Sequence, residues 1–188
     1  MDHVLNKLTK LLSAKPGLRG SGGEWRTDQT SVSELTQLVV FRLDAQRYAL
    51  SLAVVERIVR AVEVTPWPKA PTIVLGVIGL EGRILPVLNV RRRFRLPERE
   101  IGPADQFLIA RTARRTVVLA VDEVQGVIEH SPTGIVEAAQ IAPGLEQIQG
   151  VIQLDDGLVL IHDLGRFLSL DEARSLDEAM RQEVAHET

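Results

Sequence analysis

The residues able to do chemistry are few and scattered. The histidines are His3, His130, His162 and His186, and none sits at a His-x-x-x-His or Glu-x-x-His spacing within a helical stretch. The chain has no cysteine, so disulfides, thiolate ligands and thiol nucleophiles are excluded, which fits a reducing compartment. His162-Asp163 is the one neighbouring acid–base couple. Its surroundings favour a histidine at a strand end beside an aspartate that caps a helix starting at Leu164. No Gly-x-Ser-x-Gly elbow and no Gly-x-x-x-x-Gly-Lys phosphate loop is present. Asp155-Asp156-Gly157 is too short for a calcium loop and reads as a hairpin turn. The run Arg91-Arg92-Arg93-Phe94-Arg95 has the composition to touch phosphates, but Glu98 and Glu100 follow it. It reads as a solvated or partner-facing edge. These residues predict no catalytic group, no metal and no cofactor.

The strongest pattern in the chain is residues 76–90, a strand, a tight turn at Glu81-Gly82 and a return strand. Val77, Ile78, Leu80, Ile84, Leu85, Val87 and Leu88 make it too apolar for a wet hairpin. Its only charges, Glu81 and Arg83, sit at the tip. Strands are also expected at 38–43, 48–52, 59–64, 107–110, 116–121, 125–130, 149–154 and 158–161. A helical turn or bent strand is expected over 53–58, and a short helix or loop over 91–96. Pro66, Pro68 and Pro71 exclude regular structure between 65 and 71. Residues 2–13 carry Val4, Leu5, Leu8, Leu11 and Leu12 at helical spacing, and the Gly20-Ser21-Gly22-Gly23 stretch reads as a linker. Residues 171–185 read as a charged helix with Leu176, Ala179, Met180 and Val184 on one face.

No run approaches the roughly 18 apolar residues of a membrane span, and the N-terminus lacks the continuous apolar core of a secretory signal. Twenty-two basic against 25 acidic residues leave no general attraction to nucleic acid or anionic membrane. The chain also repeats itself. Phe41 overlies Phe107, Val55-Glu56-Arg57 overlies Val121-Asp122-Glu123, and Gly76-Val77-Ile78-x-Leu80 overlies Gly150-Val151-Ile152-x-Leu154. Each half thus supplies about five short strands, which favours a small barrel per half, with apolar surface shared between them. The fold expected is mainly β: two five-stranded barrels packed together, with short helices and a C-terminal helix.

Three signatures resemble the CheW family of chemotaxis adaptors, also found as the regulatory domain of CheA-type histidine kinases. Residues 76–91 resemble the family's G-V-x-N-L-R-G-x-I-x-P-V-x-D-L-R. Val121-Asp122-Glu123-Val124 resembles its V-D-x-V, and residues 150–164 resemble its closing hairpin and helix start. The resemblance implies SH3-like barrels over residues 37–170, after an N-terminal helix and linker (1–36) and before a C-terminal helix (171–188). It implies a non-enzymatic cytoplasmic scaffold that couples the cytoplasmic tip of a chemoreceptor to the regulatory domain of a CheA-type kinase. No nucleic acid and no direct membrane insertion are implied. A CheW-like scaffold of another pathway (pilus motility or second-messenger control) is the alternative, and a nucleic-acid- or small-ligand-binding double barrel is a further one. Receptor contact is expected around Val55, Arg57, Ile78, Leu80, Glu81 and Gly82, and kinase contact at barrel-end strand edges. Two positions depart from the family. Glu81 stands where the family carries the arginine tied to receptor coupling, and Arg57 stands where it often has a carboxylate. The exchange predicts an Arg57–Glu81 pair of reversed polarity.

Overall fold

A computed structural model describes residues 35–68, 70–131, 134–137 and 148–186, with side chains described to residue 181. The N-terminal helix and linker expected over 1–36 lie outside the described residues except at their last two positions. The described residues form eleven strands: β1 (Thr36–Leu43), β2 (Gln46–Ser51), β3 (Val55–Arg60), β4 (Val74–Leu80), β5 (Arg83–Leu88), β6 (Gln106–Arg111), β7 (Thr116–Val121), β8 (Glu123–His130), β9 (Val136–Glu137), β10 (Ile148–Leu154) and β11 (Gly157–His162). Helix α1 (Val90–Arg93) follows β5, helix α2 (Leu170–His186) ends the description, and 3-10 turns occupy Leu52–Val54 and Leu164–Arg166. The strand expected over 59–64 is shifted. It begins at Val55 and ends at Arg60, and the chain rejoins a sheet only at Thr65, which bridges Val77.

The strands form two sheets, in the orders β8-β1-β2-β11-β10-β9 and β3-β6-β7-β5-β4. Here the structure corrects the expectation of one barrel per half. Each sheet takes strands from both halves, stitched by the parallel pairs β11–β2 and β5–β7. The two barrels are therefore interleaved.

Interleaving explains the apolar strands. Along β6, Phe107 and Ile109 point into the five-stranded barrel, while Leu108 and Ala110 point into the core between the barrels. Along β1, Leu38 and Val40 fill the six-stranded barrel, while Val39, Phe41 and Leu43 face the shared core. A strand buried on both faces needs apolar residues at every position, and the alternation of a half-buried strand disappears. Seventeen buried residues make up the shared core, against six in each barrel interior. At roughly 1.5–3 kcal/mol per buried aliphatic side chain, the joint outweighs either barrel, so the two fold as one unit.

The registers expose an internal pseudo-symmetry. Phe41 faces Val124 across a bulge, and Ala110 faces Val55 across a bulge of the same kind, so Phe41 corresponds to Ala110 and not to Phe107. The hairpins β4–β5 and β10–β11 match as their sequences suggest, with Gly76 opposite Val87 and Gly150 opposite Ile161. Both glycines are places of close approach. A Cβ on Gly76 would stand 2.2 Å from the Thr65 carbonyl oxygen, and one on Gly150 would stand 2.9 Å from that of Val136. The strand-end caps also match: Asn89 accepts from the Arg92 amide and Asp163 from the Gly165 amide.

Candidate functional site

The β4–β5 hairpin turns at Glu81 (φ 50°) and Gly82 (φ 75°), the pair of left-handed residues that a two-residue hairpin of the right twist demands. Holding a glutamate there costs about 1–2 kcal/mol relative to an ordinary backbone conformation. The turn lifts the Glu81 carboxylate over the gap between β3 and β4, the outer strands of their sheet. At one end of this seam Thr65 and Val77 exchange backbone hydrogen bonds of 2.9 and 2.8 Å. At the other end Arg57 Nη1 donates to Glu81 Oε1 at 2.5 Å. The predicted pair is therefore formed, with side chains 44% and 65% exposed, accessible to a partner. Between the two ends Gly79 has open space where a Cβ would stand.

The expected site residues divide into two sets. Arg57, Glu81 and Gly82 are exposed, and Leu80 is half-buried against the barrel interior. Val55 and Ile78 are not surface residues: Val55 belongs to the shared core and Ile78 to the barrel interior. Their burial leaves a partner almost no surface of either to touch. They hold β3 and β4 in place beneath the seam.

Glu56 carries no signal in the sequence pattern. The bulge between Val55 and Arg57 interrupts the alternation of β3, so consecutive residues Glu56 and Arg57 both reach outward. Glu56 Oε1 accepts from Arg111 Nε at 2.7 Å and from Thr116 Oγ1 at 3.3 Å, and Arg83 Nη2 donates to that hydroxyl at 2.7 Å. Burial pushes the Glu56 carboxyl up, but the hydrogen bond and charge of Arg111, then Thr116 and Arg83, hold it below the usual carboxylate range. The seam is thus flanked by a second, ionised cluster.

The arginine run is also corrected. Arg91 is buried and makes paired hydrogen bonds of 2.8–2.9 Å to both Asp44 and Asp122, plus one of 3.1 Å to the Pro97 carbonyl. Arg99 joins Asp122 and Asp105 at 2.7 Å. Arg92 pairs with Glu98, and Arg93 with Glu172. The Arg91 hydrogen bond holds the Asp44 carboxyl below its usual range. For Asp122, burial pushes upward, but Arg91, the Asp44 amide and Arg99 together win. This network ties the β1–β2 turn of one barrel to the end of β7 and to α1 beyond β5 of the other.

His162 is buried in an aromatic stack, 4.1 Å from the Phe94 ring and 5.6 Å from that of Tyr48. Asp163 accepts from the Gly165 amide at 2.8 Å and pairs with Arg166 at 3.4 Å, so its carboxylate is occupied as a cap. Among the described residues no three His, Cys, Asp or Glu side chains cluster as metal ligands, and no helix is long and apolar enough to cross a membrane.

Two interleaved SH3-like barrels, a shared aliphatic core and an exposed ion pair across an open seam define a double-barrel scaffold. Residues 37–172 match the model of the CheW-like domain, and the chain belongs to that family. It is 28% identical over 149 residues to the chemotaxis protein CheW of Treponema pallidum, covering 76% of this chain and 88% of that one. It is 28% identical over 138 residues to CheW of Rhizobium meliloti, covering 72% and 89%. The crystal structure of the scaffolding protein TtCheW from Thermoanaerobacter tengcongensis superposes with a TM-score of 0.67 at 25% identity, covering 73% of this chain and 95% of that one. The chain is, with its family, a chemotaxis adaptor.

Proposed function

We infer that this adaptor acts without catalysis, in the cytoplasm, by holding a chemoreceptor tip next to the regulatory domain of a CheA-type histidine kinase. The coupling unit is assigned to residues 37–170, with 1–36 and 171–188 as appended segments. The receptor contact is assigned to the β3–β4 seam, through Arg57, Leu80, Glu81 and Gly82. The observation that carries this assignment is the exposed Arg57–Glu81 pair spanning the seam. Such a pair contributes little to stability, about 0–1 kcal/mol. Its worth lies in the partner it admits or rejects.

A double-mutant cycle tests the assignment. Glu81→Arg alone should weaken receptor binding about tenfold, because it sets two cations side by side. Adding Arg57→Glu should recover part of the loss. Binding that responds to each change independently would refute a paired role. Binding unmoved by either would place the receptor elsewhere.

A further inference from the structure

A cleft among the described residues adjoins the Thr65 end of the seam. Its volume is about 750 Å³, and it opens between residues 61–64 and 98–103. Its floor and walls include Val62, Leu75 and Ile101, with Val62 53% and Leu75 37% exposed. Glu63, Glu98, Arg99 and Glu100 rim it. The one cation among the described lining residues, Arg99, is already held by Asp105 and Asp122 at 2.7 Å, and Glu98 is held by Arg92. Glu63 and Glu100 are exposed at the rim. The cleft therefore asks for an apolar ligand that carries positive charge.

The chain itself supplies one. Residues 2–13 place Val4, Leu5, Leu8, Leu11 and Leu12 at helical spacing, with Lys7 and Lys10 between them. A helix of that length is marginal alone and needs a surface to cover its apolar stripe. We propose that residues 2–13 dock in this cleft of their own chain, leucines on Val62, Leu75 and Ile101, lysines against Glu63 and Glu100.

Reach permits it. The described chain begins at Leu35, at one end of β1, and the cleft lies near the other end. There the Asp122 amide bonds the Arg42 carbonyl and Arg99 grips Asp122. Eight strand residues span roughly 26 Å. Twenty-one residues separate position 13 from Leu35, and a chain of that length can reach at most roughly 70 Å, more than this span. Contact within one chain is favoured by its effective concentration, so a weak one suffices. Docking of this kind covers the outer face of residues 61–64, the stretch linking β3 to the seam bridge at Thr65.

The absence of cysteine makes the full chain its own test. Thr9→Cys introduces a single thiol for a nitroxide label, and amide signals of the isotope-labelled protein report its neighbours. Signals of residues 61–64 and of Ile101 and Gly102 should fall severalfold, while those of the distant 155–158 hairpin stay intact. Lys7→Glu with Lys10→Glu should restore them, and adding Glu63→Lys with Glu100→Lys should bring the loss back. Unaffected cleft signals, or an even loss over the whole surface, would overturn the proposal. So would an equal loss when the nitroxide is carried only by unlabelled chains mixed with isotope-labelled ones, since the occupant would then be a second copy.

Discussion

On one side of the shared core the barrels meet over Arg91, Asp44 and Asp122. At the register-related positions on the other side stand Gly165, Ala113 and Ala53. The backbones match, yet the means of closure differ. The first joint is sealed by a buried charge network. The second is covered by α2, which buries Leu176 and Ala179 and pairs Asp177 with Arg114 and Arg115. The seams differ likewise: Arg57 and Glu81 clasp one, while the corresponding Gly126 and Asp155 leave the other with no side-chain pair to form. A duplicated fold preserves its apolar pattern because both copies share one core. Its polar closures are free to diverge, since each needs only a local solution.

The largest effect that sharpens this contrast is expected from Arg91→Met. It leaves Asp122 with Arg99 as its remaining cation and half-exposed Asp44 with none, and loss of the buried guanidinium should cost about 3 kcal/mol. Thermal melting should fall by about 10 °C for a chain of this size. The same network sets an acid limit. Asp122 sits below its ordinary value near 3.8 in the folded state, so its contribution is complete above that pH and is lost as pH falls through the lower folded value. Acid titration of Asp122→Asn should therefore flatten the stability curve below about pH 4. A melting temperature unmoved by Arg91→Met would mean that the two joints are equivalent after all.

Next in size are the matched glycines. Gly76→Ala forces a methyl onto the Thr65 carbonyl and should cost about 2–3 kcal/mol in denaturant unfolding. Gly150→Ala should cost about 1 kcal/mol, because its neighbour is the two-residue β9, with more room to yield. Equal losses would remove the distinction between the two seams. The smallest effect is expected from Asp177→Asn, which loosens a partly exposed pair on the helix side and should cost about 0–1 kcal/mol. A loss as large as that of Arg91→Met would show that the helix joint, too, depends on charge.

Much of the fold is legible locally. The Glu81-Gly82 turn, the two matched hairpins and the Asp163 cap follow from residue types at short spacing. So does the start of α2, expected at 171 and found at Leu170, behind a reciprocal capping box of Ser169 and Glu172. The repeat was legible as elements but not as register around Phe41 and Phe107. Both strands are buried on both faces, so no polar residue marks which side is in. Of the candidate site, the Arg57–Glu81 pair was legible as a charge exchange. Glu56 and the burial of Val55 were hidden by the β3 bulge, whereas Ile78 lies on the inward face of an alternating β4.

By itself the sequence determined most of the strands, the hairpin turns, the lack of thiol chemistry and the family. Those follow from side-chain period and short motifs, which act over a few residues. Only the tertiary structure decided which strands share a barrel and which charges are buried. Arg91 looked like part of a wet basic run until Asp44 and Asp122, 47 and 31 residues away, closed over it. Pairings at such separation are set by the packing of the whole core, and no local pattern carries them.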